Sequence, residues 1–398
     1  MPTLNRPLSS RLLVFAVCAA LAVAVGCGGD STGPGPGPSL VFITQPGEAI
    51  AGEPIDPAVE VMVRSASGRP LGGTVTLTLD NNPCGFQFSG SLTAEVSDTT
   101  AVFADLTVGQ VGKGFALRAS SNGASALSEP FDVRSGVVTE LLTLENAVCL
   151  EVEFHGDGES LSYVPEDNSF LIADDNRELI YEVDPKTGQH GSEIMLGAIL
   201  EALPDAGQCD DGDGDPNTVC SYVDNFELLE YDPAERYLYV VNTVDAPTDR
   251  PAIFRLAKGS CAGCFIPESW QPLPIGPSYR SVIVAAGQMY MALTASIYPY
   301  DYATNQLANV DAIGDPLPPT YATSSSVAGL SFDGTYMWIL TRSRVLYQVE
   351  WATRTEYRMF DLDAFGFSLP RGAEVVRDTI YVVEGDLPNL IYVLTQRP

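Results

Sequence analysis

The sequence predicts an all-β protein in which a β-sandwich is followed by a β-propeller of five blades, or of six. Residues 40–134 contain about seven short runs in which apolar and polar residues alternate, each ended by turn-forming residues. Residues 135–398 contain a repeated pair of strand motifs, which is typical of propeller blades. Residues 1–39 match neither pattern and contain targeting signals.

Residues 1–26 have the layout of a signal peptide. Arg6 and Arg11 precede an apolar run from Leu12 to Val25, as the charged and apolar regions of export signals do. The run is too short to span a bilayer comfortably. The sequence therefore predicts a cleaved export signal. The mature protein is then either lipid-anchored, as the next residues indicate, or secreted, and the third alternative is that the apolar run is retained as a helix.

The residues around Cys27 resemble the bacterial lipobox, in which a cysteine after small residues becomes the lipidated first residue of the mature chain. The run Ala24-Val25-Gly26-Cys27 follows this pattern, except that Ala24 stands where leucine is usual. The resemblance implies a lipoprotein of the bacterial cell envelope, at the outer membrane or the cell surface. Residues 27–39 are rich in Gly, Pro and Ser, so we expect a tether there.

The charge balance is strongly acidic. The chain has 21 Lys and Arg against 51 Asp and Glu, a net charge of −30, and loss of Arg6 and Arg11 with the signal peptide makes it −32. Such a surface repels nucleic acid and anionic lipid. We therefore expect no nucleic-acid partner and no membrane contact beyond the lipid anchor.

Six cysteines remain once Cys18 leaves with the signal peptide and Cys27 is lipidated. An even number in an exported protein favours disulfides. Proximity along the chain predicts two pairs and leaves a third, which gives Cys209 with Cys220, Cys261 with Cys264, and Cys84 with Cys149. The spacing of Cys261 and Cys264 also suits a redox or zinc site, but no second such motif supplies further zinc ligands.

Residues 40–134 read as antiparallel strands with one buried face. Alternation is clearest in three runs: Val59, Val61 and Val63; Val75, Leu77 and Leu79; Phe115, Leu117 and Ala119. The stretches FITQPGEAIAGEPIDPAVEVMV and GRPLGGTVTLTLDNNPCG resemble bacterial Ig-like domains of the invasin and intimin type. The resemblance implies an Ig-like β-sandwich that acts as a spacer or adhesion module at the cell surface. Cys84 stands where glycine is more usual, which supports a disulfide there.

Each repeat unit of residues 135–398 has two strand motifs. The first motifs begin 68, 51, 48 and 43 residues apart, and they are FLIAD (170–174), LYVVN (238–242), MYMAL (289–293), MWILT (337–341) and IYVVE (380–384). An aliphatic–aromatic pair such as Ile180-Tyr181 follows each one. The last unit lacks a fourth strand, which VVTELLTLE (137–145) can supply by pairing the two ends of the domain. Five blades follow, or six if the longest step holds another.

The segments ESLSYVPEDNSFLIADDNRELIYEVDPKTGQ and VAGLSFDGTYMWILTRSRVLYQVEWATRT resemble extracytoplasmic propellers of the NHL and gluconolactonase-like kind. The resemblance implies a central channel whose mouth carries carboxylates and amides on calcium. In the repeat, the residues that close each first motif are Asp174, Asn242, Leu293, Thr341 and Glu384. Asp174, Asn242 and Glu384 are therefore candidate metal or substrate ligands, and the alternative is that they only begin turns.

The loop CDDGDGDPNTVC (209–220) is a candidate calcium site. Asp211, Asp213, Asp215 and Asn217 occupy alternate positions, so their oxygens can turn inward toward one cation. The pattern departs from a calcium loop at Pro216, where glycine is usual, and at Tyr222, where a bidentate glutamate is expected. A solvated acidic loop closed by the Cys209–Cys220 disulfide is the alternative.

Catalytic motifs are scarce. His155 and His190 are the only histidines, and no G-x-S-x-G or phosphate-binding loop occurs, which argues against a Ser-His-Asp centre. Several aromatic residues offer a surface on which a sugar could stack, although packing between blades explains them more simply; they are Trp270, Tyr279, Tyr298, Tyr300 and Tyr302.

These observations favour a monomeric surface binding or adhesion protein that uses its propeller for recognition and is not an enzyme. The expected partner is an extracellular protein, a glycan or a small molecule. The alternative is a calcium-dependent propeller enzyme that acts on a lactone, an ester or a glycan. A spacer or assembly factor for envelope proteins is a third possibility, because a fold alone does not fix function.

Overall fold

A computed structural model describes residues 38–397 of the protein with gaps at 66, 68, 70, 83, 138, 140, 151–157, 175–176, 201–202, 204–225, 244–249, 275–277, 310–317 and 386–389. Almost all of the described secondary structure is β-strand, as the sequence predicts.

The first part of the chain forms strands β1 to β11, which are β1 Ser39–Thr44, β2 Ala49–Ile50, β3 Val59–Arg64, β4 Thr74–Asp80, β5 Phe88–Ser89, β6 Thr93–Glu95, β7 Thr100–Phe103, β8 Thr107–Val108, β9 Gly112–Ser121, β10 Ala124–Leu127 and β11 Phe131–Arg134. Sheet β1-β3-β7 and sheet β2-β11-β9-β4-β6 share one apolar core, while β10 pairs with β9 and β5 with β8. The predicted alternation is confirmed, since Val59, Val61 and Val63 are fully buried.

The propeller begins with β12 Leu142–Cys149 and continues in four blades along the chain. Blade 1 has β13 Gly158–Val164, β14 Ser169–Asp174, β15 Leu179–Val183 and β16 His190–Met195, after which comes a short helix, α1 Leu196–Leu200. Blade 2 has β17 Phe226–Asp232, β18 Tyr237–Asn242, β19 Ala252–Lys258 and β20 Phe265–Pro272. Blade 3 has β21 Tyr279–Ala285, β22 Gln288–Leu293, β23 Ser296–Asp301, β24 Gln306–Leu307 and β25 Tyr321–Ala322.

Blade 4 has β26 Val327–Phe332, β27 Tyr336–Thr341, β28 Val345–Glu350 and β29 Thr355–Asp361, and a 3-10 helix Asp363–Phe365 follows it. Blade 5 has β30 Pro370–Val376, β31 Thr379–Glu384 and β32 Leu390–Gln396, and β12 completes it as the outermost strand. The predicted closure by the two ends of the domain is therefore confirmed, with the closing strand at Leu142–Cys149 instead of residues 137–145.

The innermost strands of the blades form a closed ring. Contacts run from β13 to β17, β21, β26 and β30 and back to β13. The propeller therefore has five blades; the alternative of six is wrong, because blade 2 follows blade 1 directly in the ring. Glycine permits the closest approach, since a Cβ on Gly329 of β26 would lie 2.6 Å from the backbone nitrogen of Ala373 in β30.

The repeated first motifs form the second strand of each blade, not the innermost one. FLIAD, LYVVN, MYMAL, MWILT and IYVVE correspond to β14, β18, β22, β27 and β31. These strands are the most regular in sequence because both of their faces pack against neighbouring blades, and Trp338 of β27 is fully buried there. The strands that line the channel lie one step earlier in the chain.

Two of the predicted disulfides are present. Cys261 pairs with Cys264, and Cys84 pairs with Cys149 at a Cα–Cα distance of 5.8 Å. The second bond joins the sandwich to β12 of the propeller. Nearby, Val111 of the sandwich packs into the apolar core of blades 4 and 5, and the Gln110 side-chain amide donates to the Tyr392 hydroxyl at 3.3 Å. Cys209 and Cys220 lie outside the described residues.

Candidate functional site

The five innermost strands begin in the same way and together form one mouth of the central channel. The first residue of each strand pairs with the last residue of the second strand, as Gly158 does with Asp174 and Pro370 with Glu384, and a register shift follows in every blade. The residue after that first position is Glu159, Glu227, Arg280, Ala328 or Arg371 in blades 1 to 5. We call this set, with Arg342, the channel mouth.

Charged groups meet at the channel mouth. Arg371 Nη1 lies 2.8 Å from Glu159 Oε1 and 2.9 Å from Oε2. Blade 4 has Ala328 at the equivalent position, and its contribution comes from Arg342, next after Thr341 of β27. Burial lowers the pKa of Arg342, and repulsion from Arg280 and Arg371 lowers this pKa further. Arg342 is thus close enough to Arg280 and to Arg371 to be repelled by both, while the charges of Glu159 and Glu227 oppose the lowering of its pKa.

Two of these arginines have donors that are shielded from solvent. Among the described residues, no acceptor lies within hydrogen-bond distance of the Nε atom of Arg280 or of Arg342. A buried donor without an acceptor costs roughly 1–3 kcal/mol, and more when the donor is charged. An anion that accepts from both groups would offset this cost and the repulsion among the arginines.

Below the mouth, polar side chains on the innermost strands accept hydrogen bonds from the next blade. Ser162 Oγ accepts from the backbone nitrogen of Tyr231 at 2.9 Å, and Ser331 Oγ accepts from that of Val375 at 2.9 Å. Glu230 Oε1 accepts from the nitrogen of Val284 at 3.0 Å. An innermost strand has no ladder partner on its channel side, so these side chains satisfy its buried N–H groups.

Two carboxyl groups below the mouth, on the innermost strands of blades 2 and 5, interact electrostatically. Glu230 and Glu374 occupy equivalent positions, opposite Tyr239 and Tyr381 of the second strands. Burial raises the pKa of Glu374 to about 8, and a hydrogen bond with Ser331 opposes the rise. Burial, then the Glu374 charge, raises the pKa of Glu230 well above its usual value. Burial of this kind disfavours the charged form of both carboxyl groups.

The predicted channel residues lie beside the mouth, and the described contacts tie each one to the chain of its own blade. Asp174 accepts from the backbone nitrogen of Arg177, and the Asn242 side-chain amide donates to the Arg250 carbonyl. Glu384 accepts from the Ser368 hydroxyl at 3.0 Å and from the backbone nitrogen of Leu369. All three side chains are buried. Their role as metal or substrate ligands stays a prediction.

The other candidates are placed as follows. The calcium candidates Asp211, Asp213, Asp215 and Asn217, the lipidation candidate Cys27, and His155 all lie outside the described residues. His190 is exposed and lies 3.6 Å from Glu193. Within the described part of the chain, no group of three or more His, Cys, Asp and Glu residues is arranged to hold a metal ion.

No helix in the described part of the chain is long and apolar enough to cross a membrane.

Sequence reasoning missed the arginines of the channel mouth and the carboxylates below it. The repeated motifs form the second strands of the blades, whereas the channel is lined by the innermost strands, which precede the motifs in the chain. A usable signal exists, because a segment such as GESLSYV or PRGAEVV precedes each motif and carries its charge at the second residue in four of the five blades. The charge differs in sign from blade to blade, so no repeated letter reveals it.

No protein-family model matches the chain, and no curated protein matches it. Among solved structures, it is similar to the glutaminyl cyclase of Myxococcus xanthus, with 12% identity, 65% of this chain and 97% of that chain covered, and a TM-score of 0.43. A putative oxidoreductase (glucose dehydrogenase) from Thermus thermophilus shares 13% identity over 64% and 100% of the chains, with a TM-score of 0.39. A Bacteroides thetaiotaomicron protein of unknown function shares 11% over 92% and 99%, with a TM-score of 0.37. Similarities this weak say nothing about ligands or reactions.

Proposed function

We propose that this chain is an exported binding protein, anchored in the bacterial cell envelope through Cys27, whose propeller recognises a small anionic molecule at the channel mouth. The observation that carries the proposal is the convergence of Arg280, Arg342 and Arg371, with two shielded Nε donors that lack acceptors among the described residues. A carboxylate or a phosphate accepts from several guanidinium donors at once.

The overall charge makes this cluster unusual. With a net charge of −30, the protein repels anions over most of its surface. Glu159 and Glu227 belong to the same mouth and neutralise part of the positive charge of the arginines. The ligand therefore competes with these carboxylates for the arginine donors. The ligand must also be small enough to enter between strands that each contribute one residue to the ring.

A thermal-shift titration tests the proposal. The protein is melted with sodium acetate, citrate, phosphate or sulfate at constant ionic strength, and we expect at least one anion to raise the melting temperature in a saturable way. A ligand at about a hundred times its dissociation constant adds roughly 2.7 kcal/mol of stability. Arg280→Gln and Arg342→Gln should abolish the shift.

Arg344→Gln is the matched control, because Arg344 follows Arg342 closely in the sequence but is partly exposed and pairs with Asp363. This variant should keep the full shift. If no anion stabilises the protein, or if Arg280→Gln and Arg342→Gln respond like the wild type, the proposed function is wrong.

A second candidate function is acid–base catalysis on a ligand that passes the mouth and enters the channel. It is favoured by Glu374, whose pKa of about 8 suits proton transfer near neutral pH. The substrate classes are those of the propeller enzymes that the sequence resembles, namely lactones, esters and glycans. Turnover of a panel of chromogenic esters and lactones that Glu374→Gln abolishes would support an enzyme, and unchanged turnover in that variant would exclude a role for this carboxyl group.

A further inference from the structure

A cavity lies on the face of the propeller opposite the channel mouth. The cavity lies between blades 2 and 3 and has a volume of about 620 Å³. This volume is within the range of small-molecule binding sites. The turns that join the innermost and second strands of these blades border it, whereas the channel mouth lies at the other end of those strands. We call it the blade 2–3 groove, lined by Tyr239, Arg255, Ser269, Gln271, Gln288 and Tyr302.

Aromatic rings form one wall of the groove. The rings of Tyr239 and Tyr302 meet edge to face with their centroids 5.6 Å apart. The Tyr302 hydroxyl is 2.9 Å from the Ser269 hydroxyl, which fixes the ring across blades 2 and 3. Tyr302 is partly exposed, so the wall offers apolar C–H surface together with a fixed polar tip.

Arg255 lies over two tyrosine rings at this wall. Its guanidinium carbon lies 4.5 Å from the centroid of the Tyr237 ring and 5.2 Å from that of Tyr302, and Nη2 is 3.4 Å from Glu268. Stacking of this kind orients the planar group before any ligand arrives. The Nε atom is shielded from solvent and has no acceptor among the described residues.

Amide groups add donors and acceptors at fixed positions. The Gln288 side-chain nitrogen donates to the carbonyls of Met289 at 3.0 Å and Tyr300 at 2.9 Å, which locks its orientation. Gln271 lines the groove, and none of the hydrogen bonds described for this part of the chain uses its side chain. An ordered amide beside an uncommitted one can bind neighbouring hydroxyl groups of one ligand.

The charge of the border argues against an anionic ligand. Asp232, Glu235 and Asp301 all face the groove. One oxygen of Asp232 accepts from the nitrogen of Ala234, and one oxygen of Asp301 accepts from that of Ala303. These carboxylates shape turns and still present negative charge to the cavity. A neutral ligand with many hydroxyl groups suits this mixture of acceptors, donors and aromatic surface.

We infer that the blade 2–3 groove binds a neutral carbohydrate, with a sugar ring against Tyr302 and its hydroxyl groups bonded to Arg255 and Gln271. The site is independent of the anion site proposed at the channel mouth and lies on the other face. It would give the propeller a means of holding a glycan at the cell surface while the mouth remains open to small molecules.

A glycan array followed by calorimetry tests the inference. The full-length protein is applied to neutral, sialylated and sulfated mono- to tetrasaccharides, and the best neutral sugar is titrated by isothermal calorimetry. We expect binding to neutral glycans, and a loss of tenfold or more in affinity in Gln271→Ala and Tyr302→Ala. Tyr302→Phe, which keeps the ring, should retain most of the affinity and shows that the groove is intact.

Two controls separate the site from general effects. Tyr357→Ala removes an exposed tyrosine of blade 4 that also has an arginine over its ring, Arg358 at 5.1 Å, and it should leave sugar binding unchanged. Arg280→Gln should do the same, because it alters only the channel mouth. Absence of any neutral-glycan signal, binding of acidic glycans alone, or wild-type affinity in Gln271→Ala and Tyr302→Ala would overturn the inference.

Discussion

Arg371 Nη1 lies 2.8 Å and 2.9 Å from the two carboxylate oxygens of Glu159, and this ion pair connects the last blade of the propeller to the first. The side chains are 16% and 8% exposed, so the pair is shielded from water. β12 pairs with β32 inside blade 5, and the chain then runs from β12 into blade 1. The ring is thus closed by backbone pairing within blade 5 and by an ion pair between blades 5 and 1.

The first prediction concerns this ion pair. Arg371→Met should lower the free energy of unfolding by roughly 3–5 kcal/mol, because the shielded Glu159 loses a charged partner while its own desolvation cost remains. Arg118→Met is the matched control, since the Arg118–Asp80 pair of the sandwich is 46% and 35% exposed and should be worth about 1 kcal/mol or less. Urea unfolding of both variants measures the difference, and equal losses would contradict the prediction.

The second prediction concerns pH. The folded protein keeps the Glu374 proton up to a pKa of about 8, whereas the unfolded chain releases it near the ordinary value of about 4.5. Unfolding therefore releases a proton between these values, so the contribution of Glu374 to stability is present below pH 4.5 and is lost as the pH rises to 8. The melting temperature should fall over this range.

Glu374→Gln removes this titration. The melting temperature of the variant should come close to that of the wild type near pH 5 and exceed it progressively up to pH 8, beyond which the gap stays constant. Glu235→Gln, at an exposed turn, serves as the control. A gap that is independent of pH would show that Glu374 does not hold its proton in the folded state.

Much of the fold could be predicted because its signals are local. Alternation at Val59, Val61 and Val63 follows from one buried face, and the repeat period follows from the length of a blade. The channel mouth could not be predicted, because Glu159 and Arg371 lie 212 residues apart in sequence and meet only when the ring closes. The predicted channel residues Asp174 and Glu384 lie next to the channel mouth, since they pair with the first residues of β13 and β30.

The third prediction concerns the hydrogen bonds between innermost strands. Ser331→Ala deprives the buried N–H group of Val375 of its acceptor, which should cost about 1–3 kcal/mol. Hydrogen exchange of the Val375 amide should become faster. Ser162→Ala is the reciprocal control, because its partner is the amide of Tyr231. Each variant should accelerate its own partner amide, and acceleration of both amides in both variants would indicate general loosening of the ring.

The last prediction compares the two disulfides. Cys84 and Cys149 are 65 residues apart and tie the sandwich to the propeller, whereas Cys261 and Cys264 are 3 residues apart within one turn of blade 2. The loop-entropy model assigns about 4 kcal/mol to the first bond and about 1.5 kcal/mol to the second, because a longer loop loses more freedom in the unfolded chain. The double variants Cys84→Ala, Cys149→Ala and Cys261→Ala, Cys264→Ala remove the same number of sulfur atoms, and differential scanning calorimetry should show the larger loss for the first. Loss of that bond should also speed proteolysis between Arg134 of β11 and Leu142 of β12, while the second variant should be cleaved like the wild type. If the two variants melt together and are cleaved alike, the bond between Cys84 and Cys149 does not hold the two parts of the protein against each other.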